Sequence, residues 1–157
     1  MNLTLLVISD THHNIQNAIS LVNKYKPDYL LHLGDVCEDC ERLSDIFPKL
    51  IILSVIGNND FSRLYPQYPL ERIFTLGEKK IFMCHGHKYR VKLGLFSLVM
   101  RAREVEADIV LFGHTHERFI EQTDEMLIMN PGSVRSYGII EINDGKISAK
   151  TESYDNE

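Results

Sequence analysis

The chain has 157 residues, of which 44% are apolar and 25% charged, and its formal net charge is −5. This length suits one compact domain, so we expect residues 1–157 to form a single domain. The acidic balance argues against a non-specific nucleic-acid binder, which would need a basic footprint. The N-terminal apolar run stops at Ser9 and Asp10, too early for a signal peptide or a membrane span. We therefore expect a cytoplasmic protein with no membrane partner.

Strand and helix patterns alternate in the first half of the chain. A near-continuous apolar run at residues 3–9 predicts a buried strand, and residues 14–25 carry apolar side chains at helical spacing. A second strand, a short helix and a third strand are predicted at 28–34, 40–48 and 50–57. This order predicts parallel pairing through helical crossovers.

The second half is richer in predicted strands. Residues 71–85 predict a hairpin that turns at Gly77, a helix follows from Lys92 to Ala107, and residues 108–113 predict another buried strand. Four more strand segments complete the chain: RFIEQ, MLIMN, YGIIEIN and ISAKTE, with the turn sequence NDGK at 143–146. The whole pattern predicts one α/β domain.

Cys37 and Cys40 form a C-x-x-C motif after the second predicted strand. Such a pair could be a redox centre or half of a zinc site. A zinc site would need a second pair of ligands, and Cys84 is a single residue beside a histidine. Glu38 and Asp39 lie between the thiols, where a redox motif favours an electropositive helix start. We expect no catalytic role for this motif.

Potential metal ligands follow five of the predicted strands at the point where each strand ends. Ligand sites in α/β sheets lie at the carboxyl ends of strands. Turn and capping roles explain single Asp or Asn residues there, but turn chemistry does not require histidine. The residues at these exits are Asp10 and His12, Asp35, Asn58 to Asp60, His85 and His87, and His114 and His116. Together they favour a transition-metal site.

The spacing of His114 and His116 supports this interpretation. In an extended segment, residues i and i+2 point to the same side, so both imidazoles could converge on one ion. Asp10 and His12 repeat the same spacing. For a single such pair, two solvated histidines in a turn would be the simpler interpretation.

Five motifs occur in the order D-x-H, G-D, G-N-x-D, H-G-H and G-H-T-H, within about residues 8–134. In this order they resemble the calcineurin-like metallophosphoesterase superfamily. The length and the NPGS sequence at 130–133 resemble its small bacterial and archaeal phosphodiesterase branch, which also contains the retromer subunit that became a scaffold. The resemblance implies a metallophosphatase fold: a four-layer αββα sandwich of two mixed β-sheets flanked by helices.

The resemblance also implies a site for two divalent metal ions. It assigns Asp10, His12 and His116 to the first ion, Asn58, His85 and His114 to the second, and Asp35 to a bridge between them. Oxygen and imidazole ligands suit manganese first, with nickel, iron, cobalt or zinc as alternatives, rather than calcium. A hydroxide held between two such ions would attack the phosphorus of a small phosphoester substrate in line.

One position departs from the family pattern. Many phosphatases of the superfamily have a histidine directly after the ligand asparagine, where this chain has Asn59. An amide can donate a hydrogen bond to a phosphoryl oxygen, but it cannot act as a general acid. We therefore expect a phosphodiesterase that is slow or acts on a good leaving group. Asp60 is expected to orient Asn59 or the metal ligands, and His87 to reach the leaving oxygen.

The alternative function is a protein-interaction scaffold of the retromer-subunit type, with weak or no catalysis. A scaffold does not need all seven ligand positions, and this chain keeps all seven, which favours the enzyme. Lys88, Arg90 and Lys92 could contact a phosphate or be solvated. The aromatic segment 61–74 predicts a homodimer contact.

Overall fold

The computed structural model describes residues 2–60 and 66–154. The strands in these ranges are β1 (Asn2–Ile8), β2 (Tyr29–His32), β3 (Ile51–Ser54), β4 (Glu71–Leu76), β5 (Lys79–Cys84), β6 (Ile109–Leu111), β7 (Arg118–Gln122), β8 (Leu127–Pro131), β9 (Ser136–Asn143) and β10 (Lys146–Ser153). The helices are α1 (Gln16–Tyr25), α2 (Glu38–Ile46) and α3 (Phe96–Glu104), with a 3-10 helix at His87–Tyr89.

The strands form two mixed five-stranded sheets. The first sheet has the order β10-β9-β1-β2-β3 and the second has the order β4-β5-β6-β8-β7. Strands β1, β2 and β3 of the first sheet pair in parallel, as do β5, β6 and β8 of the second. The remaining pairs are antiparallel hairpins and the β1–β9 pair. The parallel pairing predicted for the first three strands is confirmed.

Three apolar clusters separate four layers. Because successive strand residues point to opposite faces, Leu5 of β1 packs toward Met83 of the second sheet, whereas Leu6 packs on the helix side with Leu43 of α2. A third cluster packs Leu98 of α3 against the outer face of the second sheet. This is the predicted αββα sandwich.

The helix predicted from Lys92 to Ala107 is shorter in the structure. α3 begins at Phe96, and a 3-10 helix at His87–Tyr89 precedes it. Gly94 has φ of 144°, a conformation that no helix contains, so helical backbone cannot run through it. The predicted hairpin turns at Gly77 and in NDGK are confirmed, since β4–β5 and β9–β10 meet there.

Part of the segment predicted to form a dimer contact, residues 61–65, lies outside the described residues. Its described part includes Leu70 and Ile73, which are both exposed. The homodimer therefore stays a prediction. Within the described ranges, the structure contains no helix with the length and apolarity needed to cross a membrane.

Candidate metal centre and active site

The loops that carry the predicted ligands meet at one edge of the sandwich. The backbone N–H of Asp10 donates to the carbonyl of Gly34 at 3.0 Å, which joins the exits of β1 and β2. The N–H of Gly113 donates to the carbonyl of His85 at 2.8 Å, which joins the exits of β5 and β6. The carboxyl ends of the parallel strands in both sheets thus contribute to one site.

Asp10, His12 and His116 form the first group of possible metal ligands. Their ligand atoms all lie within 4.8 Å of one another, and His116 Nε2 is 3.2 Å from Asp10 Oδ1. The Asp10 side chain is fully buried, and its Oδ1 has no hydrogen-bond partner among the described residues. An unpartnered buried carboxylate oxygen is costly unless a cation neutralises it. This group therefore fits a divalent cation.

Asp10 also belongs to a second group, with Asp35 and His85, whose ligand atoms again lie within 4.8 Å of one another. His85 Nδ1 lies 2.7 Å from the carbonyl of Leu33, so this nitrogen carries the proton. Its Nε2 is left to face the carboxylates, 3.5 Å from Asp35 Oδ2 and 3.9 Å from Asp10 Oδ1. Asp10 is thus the carboxylate common to both groups, and a bridge by Asp35 remains a prediction.

His114 and His116 face different groups. His114 Nδ1 lies 3.2 Å from His85 Nε2, on the side of the second group, whereas His116 contacts Asp10. The expected extended segment is not found, because φ is 71° at His114 and 64° at His116. The left-handed backbone turns the two imidazoles toward separate positions. Positive φ at non-glycine residues is strained and clusters at functional sites.

Three of the other predicted site residues, Asn58, Asn59 and Asp60, lie after β3, and two of them contact Asp35. Asp60 Oδ2 accepts hydrogen bonds from the N–H groups of Asp35 (2.9 Å) and Gly57 (2.8 Å), and Oδ1 accepts one from Cys37 (2.7 Å). A side chain on Gly57 would collide with the Asp35 carboxylate, so this approach requires glycine. Asp60 therefore fixes the position of the Asp35 loop.

Asn59 and Asn58 lie in the turn that follows β3. The backbone N–H and the side-chain amide of Asn59 both donate to Asp35, at 2.9 and 2.8 Å. Asn58, the predicted ligand, is exposed beside it. The amide of Asn59 is therefore engaged with Asp35, and a contact with substrate would use its second N–H or follow a rearrangement.

His87 lies at the edge of the same histidine cluster. Its ring centroid is 5.5 Å from that of His85 and 6.2 Å from that of His114. Its Nδ1 is buried and has no hydrogen-bond partner among the described residues. Burial lowers the pKa of His87, and this effect outweighs the charge of Asp35, which acts to raise the pKa. The ring is therefore neutral near pH 7.

Burial sets the protonation of the central residues before any cation binds. It raises the pKa of Asp10 to about 6 and lowers that of His85 to about 4. The pKa of His114 is lowered by burial and then by the charge of Lys92. At Asp35, burial acts to raise the pKa, but hydrogen bonds from Asn59 and the charge of His85 outweigh it and lower the value. Neutral imidazoles beside carboxylates are what metal binding requires.

A family model of the calcineurin-like phosphoesterase superfamily domain matches residues 3–144. The chain belongs to this superfamily. The match spans every residue of the site described above.

Sequence relatives of this calcineurin-like phosphoesterase cover most of its length. It is 32% identical over 136 residues to the probable metallophosphoesterase YsnB of Bacillus subtilis, which covers 85% of this chain and 76% of the relative. It is 31% identical over 150 residues to a phosphodiesterase of Methanocaldococcus jannaschii, and this match covers 83% of this chain and 84% of the relative.

The fold is shared with a solved structure. A predicted phosphoesterase from Streptococcus pneumoniae has a TM-score of 0.81 and 29% identity, covering 99% of this chain and 91% of that one. Together, these comparisons support a phosphoesterase function, and membership in a metallophosphoesterase family implies divalent metal ions.

Asn130 is a residue of the phosphoesterase site whose role sequence reasoning missed. It is fully buried, and its amide donates to the carbonyl of Gly113 (3.2 Å) and to Thr115 Oγ1 (2.9 Å), while its oxygen accepts from the N–H of Gly132 (2.8 Å). These three hydrogen bonds fix the conformation of the loop that carries the G-H-T-H motif. The NPGS sequence was the available signal, but nothing local shows that Asn130 reaches Gly113.

His32 supports the loop after β1 in a similar way. The ring is fully buried, and its Nδ1 accepts from the N–H of Gly34 at 3.1 Å, which leaves Nε2–H to donate to Thr11 Oγ1 at 3.1 Å. The Thr11 hydroxyl then donates to Asp39 Oδ2 at 2.5 Å. This chain of hydrogen bonds connects the ligand loops of β1 and β2 to helix α2.

Cys37 is the N-cap residue of α2 and Cys40 lies in its first turn, and both are buried free thiols. Burial raises the pKa of both, to about 12 for Cys40. Both are therefore protonated near neutral pH, whereas a redox nucleophile or a zinc ligand acts as thiolate.

Proposed function

We propose that the chain is a phosphodiesterase that uses two divalent transition-metal ions, manganese first. The observation that carries this proposal is the buried, unpartnered oxygen of Asp10, which two groups of ligand atoms share. When bound, the ions would activate water for in-line attack on phosphorus and neutralise charge on the phosphate oxygens.

Residues of the chain orient the predicted metal ligands of this site. His85 presents Nε2 because Leu33 holds the proton on Nδ1, and Asp60 fixes the loop of Asp35. Asn59 carries an amide rather than an imidazole, and an amide cannot act as a general acid toward a leaving group. This favours small diesters with good leaving groups, with His87 proposed to donate a hydrogen bond to the leaving oxygen.

The test is hydrolysis by chelator-stripped protein to which Mn²⁺, Ni²⁺ or Mg²⁺ is added back. We expect Mn²⁺ to restore cleavage of bis(p-nitrophenyl) phosphate more strongly than that of p-nitrophenyl phosphate. His116→Gln should lose this activity, whereas His13→Gln, which changes an exposed histidine that belongs to neither group of ligand atoms, should keep it. Activity that survives chelation would contradict the proposal. Metal binding without turnover of any diester would favour the scaffold alternative.

A further inference from the structure

Residues 88–103, termed the basic lip, expose large apolar side chains directly after the H-G-H motif. Leu93 is 86% exposed and Phe96 is 78% exposed, the two highest values among the large apolar side chains described. Met100 is 48% exposed and lies one turn after Phe96 on α3. Contiguous exposed apolar side chains mark interaction surfaces more often than isolated ones do.

The basic lip is free of acidic residues, in contrast to the rest of the chain. It contains five basic residues and no Asp or Glu, although the whole chain has 22 acidic residues and a net charge of −5. Arg101 is neutralised by Glu71 and Glu104 at 3.3 and 3.0 Å. The four basic residues that form no ion pair with any described residue are Lys88, Arg90, Lys92 and Arg103. The exposed apolar side chains therefore share one segment of the chain with four exposed cations.

The apolar side chains of the lip are open to solvent. Gly94 lies between Leu93 and Phe96, and a Cβ built on it would meet nothing within 4 Å. With most of their surface exposed to solvent, the side chains of Leu93 and Phe96 do not line a closed groove. Exposed apolar side chains in a basic segment are a combination that suits the headgroup and acyl-chain boundary of a bilayer.

We propose that the basic lip binds the surface of an anionic lipid bilayer. Leu93 and Phe96 would enter the boundary between headgroups and acyl chains, and the four free cations would lie near lipid phosphates. A single-stranded nucleic acid would match the cations and stack on Phe96, but it would leave Leu93 and Met100 in water. This proposal departs from the expectation of no membrane partner, which was based on an N-terminal apolar run too short to span a membrane, and it does not depend on the proposed catalysis.

The experiment is co-sedimentation of the full chain with vesicles of phosphatidylcholine, alone or mixed with phosphatidylglycerol. We expect ~10-fold or greater enrichment on the anionic vesicles, which weakens as salt rises. Leu93→Ser/Phe96→Ser and Lys88→Glu/Arg90→Glu/Lys92→Glu should each abolish it. The matched control, Lys49→Glu/Lys79→Glu/Lys146→Glu, changes the net charge equally and should reduce binding far less. Circular dichroism and Tm check that each variant is folded.

Several outcomes would overturn the proposal. One is equal sedimentation with neutral and anionic vesicles, or none with either. Another is an equal loss of vesicle binding in the control triple variant and in the lip triple variant, which would show that binding depends on net charge instead of on the lip. A third is binding of a single-stranded oligonucleotide, or self-association in light scattering, that is lost in the lip variants while vesicles bind nothing.

Discussion

Asn59 donates two hydrogen bonds to the carboxylate of Asp35, from its backbone N–H at 2.9 Å and from its side-chain amide at 2.8 Å. The amide that replaces the histidine of related phosphatases thus contacts a predicted metal ligand. Its hydrogen bonds also contribute to the lowered pKa of Asp35. Asn59 therefore influences the protonation of Asp35, a predicted metal ligand, even without substrate.

Asp35→Asn should abolish hydrolysis, because it removes the charge that would hold two cations close together. Asn59→Ala should lower kcat/KM by at most ~10²–10³, the effect of losing one oriented donor. Asn59→His should raise monoesterase activity by supplying a general acid. The measurement is kcat/KM for an activated diester and an unactivated monoester, with metal content determined for each variant. Near-normal turnover by Asp35→Asn would refute a bridging role.

Asp10→Asn should stabilise the metal-free protein while removing metal binding. The folded-state pKa is raised from 3.8 to about 6, so the stability linked to this group is present below 3.8 and lost as pH rises through 6. At pH 7 the buried charge is therefore unfavourable, and an amide should raise the free energy of unfolding by about 3 kcal/mol. Urea unfolding with a chelator tests this, with exposed Asp45→Asn as the control. A destabilised Asp10→Asn would contradict it.

His32 should make the metal-free protein acid-sensitive. Burial lowers its pKa from 6.5 to about 4, so the stabilisation is present above 6.5 and lost as pH falls toward 4. Protonation of His32 should lower the free energy of unfolding by about 3 kcal/mol over this range. His32→Gln keeps one donor and one acceptor, and its unfolding free energy should fall less between these pH values than that of wild type. The exposed His13→Gln should behave as wild type; identical pH slopes for all three would exclude the role of His32.

Asn130→Ala should weaken metal binding although Asn130 is not a ligand. Without its three hydrogen bonds the G-H-T-H loop loses its support, and we expect a loss of ~10–100-fold in metal affinity, as for other outer residues of metal sites. Stability should fall by about 2 kcal/mol. Isothermal titration with Mn²⁺ gives the affinity, and Asn23→Ala on the exposed side of α1 is the control. Unchanged affinity in a destabilised variant would limit Asn130 to a structural role.

Cys37→Ala/Cys40→Ala should keep its metal stoichiometry and its kcat. Both thiols are buried and protonated, so they behave as small apolar side chains, and we expect only a loss of about 1–2 kcal/mol in stability. Elemental analysis and diester hydrolysis after metal loading check this. A folded variant without activity would show that the motif takes part in catalysis.

The sequence determined most of the fold through local patterns. Apolar runs of strand length, helical spacing at α1 and the turn residues at Gly77 and in NDGK indicate elements that the structure contains. The ligand types could also be predicted, because histidine at several strand exits has no explanation in turn chemistry. What those patterns could not supply was the backbone conformation at the exits.

The tertiary structure decided how these residues face one another. His114 and His116 diverge because their backbone is left-handed, and sequence spacing alone implied the opposite. The shared position of Asp10 depends on loops from both sheets meeting at one edge. Likewise, the contact of Asn130 with Gly113 joins residues 17 positions apart. Such contacts are set by packing of distant segments, which is why local sequence patterns identify the ligands but not their arrangement.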